Sequence, residues 1–256
     1  MKNKPVFQGL KRAYYELEGK DYNAVHYQQN RNRYVKMIEA VLPLSKSVNI
    51  LDIGVGFCYL AKFLKLQGFQ VFAIDFFYGD LPKYRCEQNH IPFCFLNIEV
   101  DDMPFEKEFF DVIILGEVIE HFTYSPLIPL KKIRDALEKD GLFILTTPNV
   151  FRIFELLRIL RGRSLFKPLR SSHQKRPIIY KGKRFYYRHN KLYSMESLKQ
   201  IVRRSGFRII ASGFVNEGIS FKENPIKVFL RCICWPFTLM IPQLRDFLWI
   251  QAKKEG

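Results

Sequence analysis

The sequence predicts an α/β fold in which a mostly parallel sheet is covered on both faces by helices. Three features carry this expectation. Short apolar runs recur from Val48 to Thr146 without the polar alternation of a half-solvated strand, as buried parallel strands require. Segments with helical apolar spacing lie between them. Glycines punctuate the junctions.

In chain order, Phe7 to Leu42 reads mainly as helix, with Pro43 near its end. Val48-Asn-Ile-Leu-Asp-Ile53 reads as the first strand, stopped by Gly54-Val-Gly56. Tyr59 to Leu66 has helical spacing, and Gly68 ends it. Gln70–Ile74, Phe93–Leu96, Asp111–Leu115 and Leu142–Thr146 read as the second to fifth strands. A helix around Leu130 to Leu137 precedes the fifth strand and closes on the turn Lys139-Asp-Gly141. Basic, aromatic and proline-containing sequence then runs to about Asn190. Ser194 reads as the N-cap of a helix that ends at Ser205-Gly206. Arg208–Val215 and Phe247–Lys253 complete the strands, with Pro225–Pro242 between them.

A chain of 256 residues suits one large α/β domain. Its 48% apolar content, with 24 Phe and 13 Tyr, excludes a disordered composition. The five cysteines are odd in number and lack zinc-site spacing, which points to a reducing, cytoplasmic compartment. No apolar run follows the basic start, so a secretory signal is not expected. The net charge of +16 is concentrated: Phe151 to Lys191 carries 13 Lys and Arg against one acid, Glu155. Such a zone faces a polyanion (a phosphate-bearing substrate, an anionic membrane or RNA) or serves as a solvated face.

The strongest motif is Leu51-Asp-Ile-Gly-Val-Gly56 leading into a helix. Glycines at a strand end allow a sharp turn and close ligand approach to the backbone. Asp75 ends the second strand, where an acid accepts the ribose hydroxyls of a nucleoside. Asp52 stands before the glycines, where a carboxylate faces a cationic ligand. A dinucleotide site wants a third Gly or Ala; Tyr59 occupies that place and argues for a smaller nucleoside.

On these residues the chain resembles the class I S-adenosylmethionine-dependent methyltransferases, over about Ile50 to Asn149 and more loosely to Phe214. Ala73-Ile-Asp-Phe76, Phe110-Asp-Val-Ile-Ile114 read with its neighbours, and Gly141-Leu-Phe-Ile-Leu-Thr-Thr-Pro-Asn149 carry the likeness beyond the first motif. The resemblance implies a Rossmann-like seven-stranded sheet with a reversed last strand and S-adenosyl-L-methionine over the strand ends. Asp52, Gly54 and Gly56 would then contact the methionine part, Asp75 the ribose, and Phe76 would flank the adenine. The family often has an acid near the end of the third strand; Asn97 stands there, and its amide oxygen would accept from the adenine amino group. The organisation implied is a helical cap over residues 1–46 and a methyltransferase domain over 47–256. That domain carries a basic insertion at about 151–191 and an apolar one at about 225–242.

Gly116-Glu-Val-Ile-Glu-His121 follows the fourth strand. In a helical turn Glu117, Glu120 and His121 share one face, a set suited to Mg2+ or another divalent metal. The run resembles that of ubiquinone-biosynthesis O-methyltransferases and small-RNA 2′-O-methyltransferases. Alternatively Glu117 caps the cofactor pocket and Glu120–His121 is a structural pair. His121 and His189 are the candidate bases for an oxygen acceptor, with His189 also a further ligand.

Phe151 to Arg161 is amphipathic, with Arg152, Glu155, Arg158 and Arg161 as its polar stripe; it suits a membrane surface, a cover for the site, or core packing. Ile226 to Ile241 is very apolar but too short to span a bilayer, and Pro236 interrupts it, which favours an interfacial helix or hairpin over a span. The leading expectation is O-methylation of a small or lipid-linked acceptor of glycan or quinone-precursor type, at the inner face of a membrane with an anionic surface. RNA fits less well, because no RNA-binding module is evident and the apolar segment has no use there. A non-catalytic cofactor-binding module is the remaining alternative. The sequence specifies no oligomeric state.

Overall fold

The structure, a computed structural model, describes residues 4–18, 24–77, 79–165, 176–220 and 224–255. Its strands are β1 Asn49–Ile53, β2 Gln70–Asp75, β3 Phe93–Phe95, β4 Phe110–Gly116, β5 Leu137–Pro148, β6 Ile178–Tyr180, β7 Lys183–Phe185, β8 Phe207–Val215 and β9 Phe247–Lys254. Seven form one sheet in the order β3-β2-β1-β4-β5-β9-β8, while β6 and β7 form a separate hairpin. β1 to β5 run parallel, and β9 is antiparallel to both of its neighbours. The last strand is therefore reversed, as the family likeness implied.

The central strands read as continuous apolar runs because both faces are buried. Ile50, Val71, Val112 and Ile114 belong to one core cluster; Leu51, Ile74, Ile113 and Leu115 belong to the other. The helices are α1 Lys4–Glu18, α2 Ala24–Val41, α3 Tyr59–Leu66, α4 Asp80–Gln88, α5 Leu127–Ala136, α6 Ile153–Leu160, α7 Met195–Arg204 and α8 Pro225–Met240. α7 starts as expected on a capping box: Ser194 Oγ accepts the Ser197 N–H at 3.2 Å, and Ser197 Oγ accepts the Ser194 N–H at 3.0 Å. α1 packs on α3, where Tyr14 stacks on Tyr59 with ring centroids 3.6 Å apart. The place that a dinucleotide site keeps small is used here to anchor the N-terminal helix.

Several elements differ from the sequence expectation. The helical region expected over Phe7–Leu42 comprises α1 and α2, with residues 19–23 between them outside the described residues. α4 was not expected; only Pro82 and Cys86 of its nine residues are buried, so no apolar period marks it. β5 begins earlier than expected, at Leu137. Phe110 pairs with Leu137 and Val112 with Leu142, so Lys139-Asp-Gly141 lies in a bulge, with Asp140 at φ 70°. Residues 225–240 form one helix despite the internal Pro236. Of the basic stretch, residues 166–175 lie outside the described residues.

Candidate functional site

A cleft with a cavity volume of about 150 Å3 opens at the carboxyl ends of β1, β2 and β4, the usual ligand position in an open α/β sheet. Asp52, Gly54, Gly56, Asp75, Phe76, Asn97, Glu117 and His121 all line it. The structure thus brings together every cofactor residue expected from the sequence. Gly54 has φ +75°, and a Cβ there would lie 2.2 Å from Val118 Cγ2, so no side chain fits. The buried Asp75 carboxylate holds the loop closed. Its Oδ2 accepts the Gly56 N–H at 2.7 Å, and its Oδ1 accepts the Phe76 and Phe77 N–H groups at 2.6 and 2.9 Å.

α2 closes one wall with Arg33, Tyr34 and Met37. Sequence reading missed Arg33. It is buried, its Nη1 lies 3.8 Å from Glu117 Oε1, and its guanidinium covers the Tyr34 ring at 4.7 Å. Burial and the neighbouring Asp75 push Asp52 up to about 7, opposed by Arg33. Burial also raises the carboxyl of Glu117, again opposed by Arg33, while Glu120 adds to the rise. A cleft with two carboxylates held against ionisation and one buried guanidinium favours a ligand carrying both cationic and anionic groups.

The opposite end is aromatic. Phe76 meets Phe77, Phe95, Tyr180 and Phe185, with ring centroids 5.0 to 5.6 Å away. The β6–β7 hairpin supplies Tyr180 and Phe185, and Tyr180 donates to Asp101 at 2.9 Å. Asn97 is present in the cleft, but its amide is arranged otherwise than expected. Its oxygen accepts the Glu99 N–H at 3.0 Å, while its buried Nδ2 has no partner. That backbone N–H takes the amide oxygen as its acceptor and leaves the buried Nδ2 donor unpaired at the cleft.

Beyond β4 the expected helical face is broken. Glu117 takes φ 60°, outside the single 3-10 turn Ile119–His121. It therefore faces Arg33, and among the described residues the group whose ligand atoms lie within 4.8 Å of one another is Glu120, His121 and His189. Of the ligand residues expected from sequence, Glu117 lies outside this group, while Glu120, His121 and the further ligand His189 are together. Glu120 is buried; its Oε2 accepts from Thr147 Oγ1 at 2.9 Å and its Oε1 has no hydrogen-bond partner. His121 Nδ1 lies 3.0 Å from the Arg188 carbonyl, so it carries the proton and leaves Nε2 as the lone-pair nitrogen. Burial lowers the His121 pKa, which keeps the ring neutral at neutral pH. Tyr187 stacks on it at 5.5 Å and the His189 ring meets it edge-on at 4.9 Å.

Part of the basic stretch is tied to the domain. Arg152 and Arg158 clamp the buried Glu155 at 2.5 and 3.2 Å, and Lys181 pairs with Asp101 at 2.6 Å. In α6 the polar stripe therefore points partly inward, while Ile159 and Leu160 are exposed.

A glycine bend over a parallel sheet, an acid at the end of β2 and a reversed last strand define a nucleoside-binding α/β domain of methyltransferase type. The chain belongs to the class I S-adenosylmethionine-dependent methyltransferase family: the family model described as "Methyltransferase domain" matches residues 25–212. Among curated proteins it is similar to the ubiquinone biosynthesis O-methyltransferase of Cereibacter sphaeroides, 30% identical over 124 residues, 48% of this chain and 49% of that one. The chain thus spans about half the length of the curated relatives it matches at that identity. An uncharacterised protein of Methanocaldococcus jannaschii is 22% identical over 87% of this chain and 84% of its own. Solved structures share the fold. A SAM-dependent methyltransferase from Archaeoglobus fulgidus has TM-score 0.59 and 16% identity, covering 91% of this chain and 100% of that one. The Haemonchus contortus phosphoethanolamine N-methyltransferase 2, in complex with S-adenosyl-L-methionine, has TM-score 0.58 and 16% identity, covering 98% and 57%.

Proposed function

We propose that the chain methylates an oxygen atom of a small or lipid-linked acceptor, of quinone-precursor or glycan type, next to a membrane surface. The observation that carries the oxygen assignment is His121, a half-buried neutral imidazole on the cleft wall with Nε2 as its lone-pair nitrogen. An oxygen acceptor must lose a proton, and this ring is placed to take it. The relatives named as ubiquinone biosynthesis O-methyltransferases support the same choice.

The cleft fits S-adenosylmethionine. That group supplies an electrophilic methyl, and the protein's part is alignment and exclusion of water. Arg33 is placed to pair with the methionine carboxylate. Asp52 and Glu117 would regain their negative charge beside its cationic groups. Asp75 would hold the ribose, Phe76 would border the adenine, and the unpartnered Asn97 Nδ2 would donate to an adenine ring nitrogen.

Glu120, His121 and His189 also fit a divalent cation such as Mg2+, because an orphaned buried carboxylate oxygen and two imidazoles converge there. A metal would lower the pKa of an acceptor hydroxyl. His121 Nε2 serves either as base or as ligand, and one assay separates the two uses. Labelled methyl transfer is measured to a catechol-type quinone precursor and to lipid, glycan and RNA extracts. Label on an oxygen in one of the first three is expected. His121→Asn should lower turnover by about 10²–10⁴-fold while leaving S-adenosylhomocysteine affinity intact. Activity that survives a chelator assigns His121 as the base, and activity lost and then restored by magnesium or manganese assigns the metal. Label on RNA or on nitrogen contradicts the proposal.

A further inference from the structure

The outward face of α8 is a feature that methyl transfer does not use. Ile226, Phe229, Leu230, Ile233, Phe237 and Met240 recur at helical spacing and are all exposed, Met240 at 81%. Every exposed residue of α8 among the described side chains is apolar. The opposite face is spoken for: Arg231, Cys234, Trp235 and Thr238 border a small cavity against Ile153 and Phe154 of α6. Arg231 is also paired with Glu217. α6, whose start borders that cavity, ends on Leu160 at 82% exposure, followed by the exposed Arg161 and Arg163. An exposed apolar face of this extent marks a binding surface.

We infer that α8 lies flat in the interface of an anionic lipid bilayer, with this stripe inserted among the acyl chains and the flanking arginines at the headgroups. Geometry and charge select this occupant. A 16-residue helix is about 24 Å long, and no helix among the described residues is long and apolar enough to cross a membrane. An interfacial helix needs no such length. A second copy of the chain would bring +16 against +16, whereas anionic headgroups neutralise that charge. α8 follows the carboxyl end of β8, which runs parallel to β5, so it leaves the sheet at the same end as the cleft. This rests on and deepens the membrane part of the reading above; its test reads lipid binding, so the methyl transfer to oxygen stands or falls separately.

The test is flotation with vesicles of phosphatidylcholine mixed with phosphatidylglycerol, and with phosphatidylcholine alone. The wild-type chain should float with the mixed vesicles, and less so as salt rises. Combining Phe229→Glu, Ile233→Glu and Phe237→Glu should weaken that binding by at least about a hundredfold. These side chains are exposed, so S-adenosylhomocysteine affinity should be unchanged and reports an intact fold. Three results overturn the inference: no flotation of the wild type, flotation of the triple variant equal to wild type, or a lipid-free dimer that the triple substitution dissolves. The last would assign the face to a second copy.

Discussion

Asp75→Ala is expected to weaken S-adenosylhomocysteine binding by at least about a hundredfold, measured by calorimetry. Hydrogen bonds to a charged group contribute about 1.5–3 kcal/mol each, and two of them already amount to a hundredfold or more. Asp75 serves two ends of one bond network. Its Oδ2 fixes the Gly56 N–H, and its Oδ1 fixes Phe76 and Phe77, so the acid shapes the loop as well as meeting the sugar. Asp75→Asn keeps the size but replaces one acceptor by a donor that faces backbone N–H groups. It should therefore be nearly as damaging, and affinity equal to wild type in either variant would refute the ribose assignment.

Arg33→Met should raise the Kd for S-adenosylhomocysteine about thirtyfold, from the loss of about 2 kcal/mol of charge-assisted pairing. It should leave 5′-methylthioadenosine, which lacks the amino-acid part, within a few-fold of wild type. The contrast between the two ligands carries the prediction. Arg33 is the cation that opposes the raised pKa of both Asp52 and Glu117, so its removal also makes those carboxyls harder to ionise. An equal loss for both ligands would mean that Arg33 acts on the shape of the cleft and not on a carboxylate.

These two residues also mark how far the sequence could be read. Asp75 was legible because its signal is local: an apolar run, a terminal acid, and glycines one strand earlier. The same holds for Tyr59–Leu66 and for the Ser194 cap, where the deciding contacts lie within a few residues. Arg33 was not legible. It sits in α2 among aromatic and polar residues, and its burial follows from where α2 lies against the segment after β4. His189 was a guess in sequence; its approach to His121 depends on the Arg188 carbonyl meeting the His121 ring. The misreading of Glu117 on the face of Glu120 and His121 came from assuming a regular helical turn. The left-handed backbone at Glu117, held by its N–H to the Thr146 carbonyl at 3.0 Å, turns that side chain toward Arg33 instead. α4 and the β6–β7 hairpin escaped because neither buries an apolar stripe that a period would reveal.

A calorimetric titration of the full chain with S-adenosylhomocysteine, run beside one with NAD+, tests the central claim most directly. Saturable one-to-one binding of the nucleoside thioether and no heat from the dinucleotide is the predicted result. Failure to saturate at millimolar ligand, or binding of the dinucleotide, would contradict it.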